Sequence, residues 1–366
     1  MNRETRRIRV PRTAWTLGCG AAGGAVFSVV GLPLPWLLGG IVGSAAAASA
    51  GLPAGLPGWL RNLVLVLLGL MIGSTVHHDT LAEMSRWPIS MAGVAGYVAV
   101  TTASTRLILR RLARFDAATA YFAAAPGGFM AMATIGDTFG GQARGIALTH
   151  AMRVVLVLFT LVLGYHALAG PTTGGGVSDA GAQSVLSGVA IAQLVSLGGG
   201  GWLLARLLRV PASAMIGPLV LMAVAKLSSL ALPRPPGDLL VLAEWVLGSG
   251  IGADFAGVGL AELVRGAAVS VAATLWMLLM SVAFALALVP LTDQSPASLL
   301  LALSPGGLSG VSMVALALGI DPAFVTAHNV FRVLLILIVA PVVFRLAGGS
   351  RNDTESAPGK APQRRP

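Results

Sequence analysis

Two cationic side chains lie where an apolar chain rarely carries them. Arg153 and Arg332 each fall inside a long hydrophobic segment, and each follows a Pro-Gly-Gly triplet at the same interval. Pro126 to Arg153 is 27 positions, and Pro305 to Arg332 is 27 again. Around them stands a matching set of residues: Pro126, Gly127, Gly128 and Met130 at the first break, and Ser304, Pro305, Gly306, Gly307 and Ser309 at the second. His150 precedes Arg153, and His328 and Asn329 precede Arg332. Proline removes a donor and clashes with the preceding turn, while glycine frees the backbone, so each triplet interrupts a helix. The half-helix after the break starts with uncommitted N–H groups, which favour negative charge. Together these residue types are suited to recognising a small anion, and they are the candidate substrate-binding set.

Arg153 stands nine positions beyond Arg144, where its segment begins. At 1.5 Å per residue this is about 13–14 Å into a hydrocarbon core about 30 Å thick. An arginine at that depth costs about 2.5–3.5 kcal/mol on insertion scales unless a partner or water compensates. Two readings stay open: each arginine binds carbonyls freed at the break and pins it, or each meets an anionic substrate or headgroup. His150 and Glu244 are candidates for proton coupling, because histidine titrates in the useful range and an intramembrane acid is costly. A buried, hydrogen-bonded imidazole and a Glu244–Lys226 pair are the alternatives. His77, His78 and Asp79 lack further ligands nearby, so no metal site and no cofactor are expected.

The elements that must position these residues are helices in a membrane. Hydrophobic residues make up 55% of the 366, charged residues 10%, and the mean hydropathy is +0.83. A soluble domain carries about 25% charged residues. The net charge of +10 comes mostly from arginines at segment ends and in the tails, which fits the positive-inside bias better than a nucleic-acid surface. A single cysteine excludes an intrachain disulfide and any Cys-based zinc or iron–sulfur site. Spans are expected near 14–32, 34–52, 59–77, 88–108 and 145–168, with a broken segment near 117–138. The second half repeats this with spans near 185–208, 212–232, 238–256, 266–289 and 323–346, and a break near 296–318. A basic tail (1–13), a Gly-rich external linker (170–184) and a disordered tail (348–366) flank the two membrane repeats (14–169 and 185–347).

The halves read as copies. Leu32-Pro33 with Gly39 matches Val210-Pro211 with Gly217, Gly69 and Gly73 match Gly248 and Gly252, and Leu81-Ala82-Glu83 with Arg86 matches Leu260-Ala261-Glu262 with Arg265. The offset is 178 or 179 throughout. Under it His150 corresponds to Asn329, not to His328. If the broken segments re-enter on the side they left, the halves are inverted and most Lys and Arg fall in the cytoplasm. The expected fold is an all-α integral membrane protein of two inverted repeats, each with about five transmembrane helices and one Pro-Gly-Gly-broken, re-entrant segment.

The run Leu32-Pro33-Leu34-Pro35-Trp36-Leu37-Leu38-Gly39, the paired Pro-Gly-Gly triplets, and Asp321-Pro322-Ala323-Phe324-Val325 before His328 and Arg332 resemble the AbrB family of bacterial membrane proteins. The resemblance covers about residues 14–346. It departs where Ser213-Ala214 stands in place of Pro35-Trp36, and where His328-Asn329 replaces a paired histidine. Such proteins are commonly labelled regulators of gene expression or ammonia monooxygenases, and the resemblance implies an architecture similar to inverted-repeat secondary transporters. A copper or iron oxygenase needs clustered ligands, and five scattered histidines with one cysteine do not supply them. A DNA-binding regulator needs a soluble recognition module, and no stretch is long enough. The expectation is a non-enzymatic secondary transporter of a small anionic metabolite, multi-pass in the bacterial inner membrane, with both termini cytoplasmic. The alternative is a membrane sensor that influences gene expression without transport. Expected partners are the lipid bilayer and a small-molecule substrate, with no nucleic acid; a homo-oligomer is left open.

Overall fold

The computed structural model describes residues 11–169, 187–228, 232–233, 235–258 and 260–347. The linker 170–184, the tail 348–366 and most of the basic N-terminus lie outside that set. The described residues form fifteen α-helices and one 3-10 turn. In order they are α1 (Arg12–Val29), α2 (Pro35–Ser49), α3 (Gly58–Gly73), α4 (His78–Met84), α5 (Trp87–Leu112), α6 (Ala117–Ala124), α7 (Phe129–Thr138) and α8 (Ala143–Ala169). After the linker come α9 (Gly188–Leu207), α10 (Ser213–Leu227), α11 (Asp238–Ala253), α12 (Leu260–Leu288), α13 (Pro296–Leu303), α14 (Leu308–Leu318) and α15 (Pro322–Leu346).

Among the described residues, five helices are long and apolar enough to cross a membrane: Trp87–Leu112, Ala143–Leu168, Gly188–Leu207, Ala267–Leu291 and Pro322–Leu346. The bent pair Gly58–Gly73 and His78–Met84 makes a sixth if counted as one span. Ten were expected. α1, 18 residues long, is diluted by Arg12 and four glycines; the other four are shortened by punctuation that a hydropathy count ignores. α2 starts at Pro35 because Leu34 adopts a left-handed φ of 46°, and α10 starts at Ser213 because Ala212 does the same at 51°. Each is then 15 residues long, about 22 Å, short of the hydrocarbon thickness. α3 and α11 are 16 residues each.

Glycines decide which helices meet. α1 crosses α2 at Gly23 and Gly39, and α9 crosses α10 at Gly201 and Gly217; a Cβ at any of these would fall under 3.0 Å from the opposing backbone. α11 lies against α2, with Gly248 on the Leu37 carbonyl, while α3 lies against α10, with Gly69 on the Met215 carbonyl. Small residues permit such backbone approach, and close packing drives association where water does not.

α3 and α11 run antiparallel, since Arg61 at the start of one donates to Asp254 at the end of the other, 3.1 Å. α5 and α12 are antiparallel too: Arg86 pairs with Asp293 near one end, and Trp276 Nε1 donates to Ser104 Oγ (2.9 Å) farther along. α6 and α7 form a hairpin whose ends meet, because the Gln142 N–H following α7 donates to Thr119 Oγ1 at the start of α6, 2.7 Å. The largest buried cluster gathers side chains of α2, α3, α5, α8 and α10 to α15, including Leu37, Leu68, Tyr97, Leu158, Leu301 and Phe324.

Candidate functional site

The first break is held by the helix that follows it. Asp116 caps α6, accepting from the Thr119 N–H at 2.8 Å. The helix ends at Ala124, and Ala125 turns extended before buried Pro126. Gly128 then opens α7 without any side-chain cap, and the space beside its α-carbon is open. Arg153, on α8 and 3% exposed, reaches back to this turn. Its Nη1 donates to the Ala125 carbonyl at 3.3 Å, and its Nη2 donates to His150 Nδ1 at 2.8 Å. His150 in turn donates from Nε2 to the Phe122 carbonyl at 3.0 Å. An imidazole that gives a proton at one nitrogen and receives one at the other is neutral. The pair meets because residues three apart share a helix face.

The second break repeats the arrangement with a different neighbour. Gly307 opens α14 at φ +83°, a conformation natural to glycine. Arg332, on α15 and 1% exposed, donates from Nη1 to the carbonyls of Ala302 (3.5 Å), Leu303 (3.2 Å) and Ser304 (2.5 Å). Its Nη2 donates to Asn329 Oδ1 at 2.6 Å, and Asn329 Nδ2 donates to the Val325 carbonyl at 2.8 Å. Ser304 sends its hydroxyl proton back to Leu301, 2.9 Å away. Both arginines thus hold carbonyls left without helical partners at the end of a half-helix, the pinning geometry considered from the sequence.

The two breaks face one another's closing helices. Gly127 packs against Ile336 of α15, and Gly306 against Val157 of α8. Between α5 and α12, Ser281 Oγ lies 3.1 Å from the Tyr97 hydroxyl, to which it donates, and 3.4 Å from the Leu303 carbonyl that Arg332 also engages. Arg153 Nη1 contacts Met277 sulfur at 4.0 Å. Neither arginine has a carboxylate partner among the described residues; the ion pairs there are Arg61–Asp254 and Arg86–Asp293. Both Nε–H groups are buried with no acceptor. Two buried cations with spare donors and no carboxylate partner among the described residues are chemically suited to meeting an anion.

Not every sequence candidate joins this group. His328 donates from Nδ1 to the Phe324 carbonyl at 2.8 Å, while its Nε2 lies 2.7 Å from Ser90 Oγ. Its ring packs on Phe324 and Trp87, away from the Arg332 hydrogen bonds. Glu244 is buried in α11 without an ion pair to either arginine, and Lys226 donates to the Ser74 carbonyl instead. Ser309 is half-buried in the first turn of α14. Met130 sits in the first turn of α7, with its side chain outside the described residues. Tyr97 and Ser281 were missed. Their only sequence signal is a hydroxyl stripe along α5 (Ser90, Tyr97, Thr101, Thr105) and another along α12 (Ser270, Thr274, Ser281).

A family model described as "Transition state regulatory protein AbrB" matches residues 36–348. Over 376 aligned residues the chain is 24% identical to "Uncharacterized protein YhjN" of Bacillus subtilis (strain 168), covering 94% of this chain and 96% of that one. It is 26% identical over 292 residues to "Putative regulator AbrB" of Escherichia coli (strain K12), covering 76% and 80% respectively.

Proposed function

The chain belongs to the AbrB family and is a multi-pass membrane protein by the length and composition of its helices; on that premise we propose that it is a secondary transporter of a small anionic metabolite. The carrying observation is the pair of buried guanidinium groups, Arg153 and Arg332, which lack a carboxylate partner and retain unused Nε–H donors. Intramembrane cations of this kind mark substrate pathways. The uncapped starts of α7 and α14 add partial positive charge beside the same breaks.

The architecture is two inverted repeats, with α6–α7 and α13–α14 as re-entrant hairpins around a site at mid-bilayer. Reciprocal packing supports this: α2 on α11 answers α10 on α3, and Gly127 on Ile336 answers Gly306 on Val157. Corresponding helices also oppose in direction, as α3 does α11 and α5 does α12, which is expected of copies related by an axis in the membrane plane. The closed ends of the α6–α7 hairpin favour re-entry over crossing. The chain lies in the bacterial inner membrane with both termini cytoplasmic, as its arginine distribution suggests.

A second reading, a membrane sensor that binds the anion without moving it, is favoured by the regulator names of the family model and of the Escherichia coli relative. The arginines serve either role. Accumulation of labelled anions in proteoliposomes separates the two: concentrative uptake supports transport, whereas saturable binding without uptake supports sensing. Loss of neither with Arg153→Gln and Arg332→Gln refutes both.

A further inference from the structure

Away from the two arginines, a long hollow separates α10 from α15, two helices that make little direct contact. Its walls run from Ile216 to Leu227 on α10 and from Ala323 to Leu334 on α15, eleven positions on each, about 16 Å. α3 ends against α10, where Lys226 donates to the Ser74 carbonyl. α5 begins against α15, where Trp87 packs edge-on to Phe324 with ring centroids 5.6 Å apart. α4 joins those two points, so Thr80 and Met84 lie across one end of the hollow. Val220, Val224 and Leu334 form its rim and are 50%, 53% and 37% exposed, which opens the long side toward lipid. The walls offer hydrocarbon, because their two threonines are engaged elsewhere. Thr326 donates its hydroxyl proton to Ser312 Oγ at 2.8 Å, and Thr80 Oγ1 accepts from the His77 N–H at 3.2 Å.

Size and chemistry choose the occupant. The hollow holds about 440 Å³, and about 1090 Å³ with the open space at its mouth counted. Even the larger volume, spread over about 16 Å, gives a cross-section of about 70 Å², against roughly 80–110 Å² for a helix about 10–12 Å across. A helix of a partner or of a second copy is too thick to lie in it. A hydrocarbon chain is not, and about 16 Å is also the depth of one leaflet, half of a core about 30 Å thick. Left unfilled, such a void forfeits dispersion contacts along every side chain that lines it. At the end closed by α4, Lys226 stands beside the lining residue Leu227 and His77 beside Val76, with Lys226 Nζ 3.4 Å from His77 Nε2. Other charged groups at that end include Asp79 and Glu83 of α4, and Arg86, which Asp293 engages. A lysine at the end of a lipid-facing slot meets the phosphate where a lipid headgroup begins. We propose that the hollow between α10 and α15 binds one acyl chain of a membrane phospholipid, with the phosphate of its headgroup at Lys226. This goes beyond the anion site and does not depend on transport. Val330 and Phe331 line the hollow immediately before Arg332, so a seated chain braces the helix whose arginine pins the second break.

The test uses the full-length chain purified in mild detergent. Wild-type protein is loaded with a phosphatidylethanolamine carrying a photoactivatable diazirine in mid-chain, irradiated, digested and mapped by mass spectrometry. Adducts concentrated in peptides spanning 216–227 and 323–334 are the expected result; adducts spread evenly over exposed helices such as α9 overturn the site. Native mass spectrometry then reads the phospholipid retained after detergent exchange. Wild type keeps one molecule. Ala327→Trp and Ala223→Trp fill the hollow from opposite walls, and each lowers its occupancy about tenfold or more, while Val195→Trp on the exposed face of α9 leaves it unchanged. Folding of each variant is checked by its size-exclusion profile. Lys226→Gln weakens phospholipid binding about fivefold, and Lys226→Arg restores it. Equal retention by wild type and both tryptophan variants, or a fatty alcohol that binds as tightly as the phospholipid, overturns the proposal. So does a wild-type dimer that both tryptophan variants split, which assigns the hollow to a second copy.

Discussion

Replacing Arg332 by glutamine separates a structural pin from a ligand-binding group. In the structure Arg332 satisfies three carbonyls and one amide oxygen. Leu303 O has the Ser281 hydroxyl 3.4 Å away as a replacement donor if that hydroxyl turns from Tyr97, and Ala302 O is held only at the 3.5 Å limit. Ser304 O and Asn329 Oδ1 are therefore the two groups stripped of a close partner. Leaving a buried acceptor unsatisfied costs about 1–3 kcal/mol, so the pair loses about 2–6 kcal/mol. Against this, the buried cation disappears, recovering about 2.5–3.5 kcal/mol on insertion scales. The net change is then about 3.5 kcal/mol of destabilisation at most, small for a side chain with four hydrogen bonds. What should vanish is the response to ligand. A bound anion at a hundred times its dissociation constant stabilises the folded chain by about 2.7 kcal/mol. The assay is thermal unfolding of purified protein against mono- and dicarboxylates, sulfate and phosphate. Arg332→Gln should unfold slightly earlier than wild type and show no shift with any anion that stabilises wild type. A variant that collapses outright, or one that folds and keeps the full anion shift, refutes the reasoning.

Further outcomes follow from the same geometry. His150→Asn installs the residue that stands at the corresponding position, 329, and should retain an acceptor for Arg153; His150→Ala strips both Arg153 Nη2 and the Phe122 carbonyl, and its melting temperature should fall clearly below that of the Asn variant. Gly248→Ala and Gly69→Ala each drive a methyl into an opposing backbone carbonyl and should destabilise by about 1–3 kcal/mol, whereas Gly164→Ala on α8, with open space around it, should be neutral or stabilising by about 0.5–1 kcal/mol. Breaking the half-exposed Arg61–Asp254 pair by Arg61→Ala should cost less than about 1 kcal/mol, measured by chemical unfolding at low and high salt. Single cysteines at positions 144 and 206, in a chain lacking Cys19, should both be labelled from the cytoplasmic side by an impermeant maleimide; labelling from opposite sides contradicts inverted repeats.

Much of the scaffold could be read before any coordinates. The Pro-Gly-Gly triplets break the chain where they stand, because missing donors and free φ angles act on the residues that carry them. The 27-residue intervals placed Arg153 and Arg332 at equivalent points, and the constant offset singled out Gly69 and Gly248 as a matched pair. Other features needed the packed molecule. His150 and His328 look alike in the sequence, yet one accepts a hydrogen bond from Arg153 and the other lies among Trp87, Ser90 and Phe324. Tyr97 meets Ser281 only because α5 lies against α12, 184 residues away in sequence. Helix breaks and helix faces are local consequences of side-chain chemistry, and one sequence suffices to find them. Which face meets which is fixed by where two backbones approach closely enough to pack, a property of pairs of helices that no single segment records.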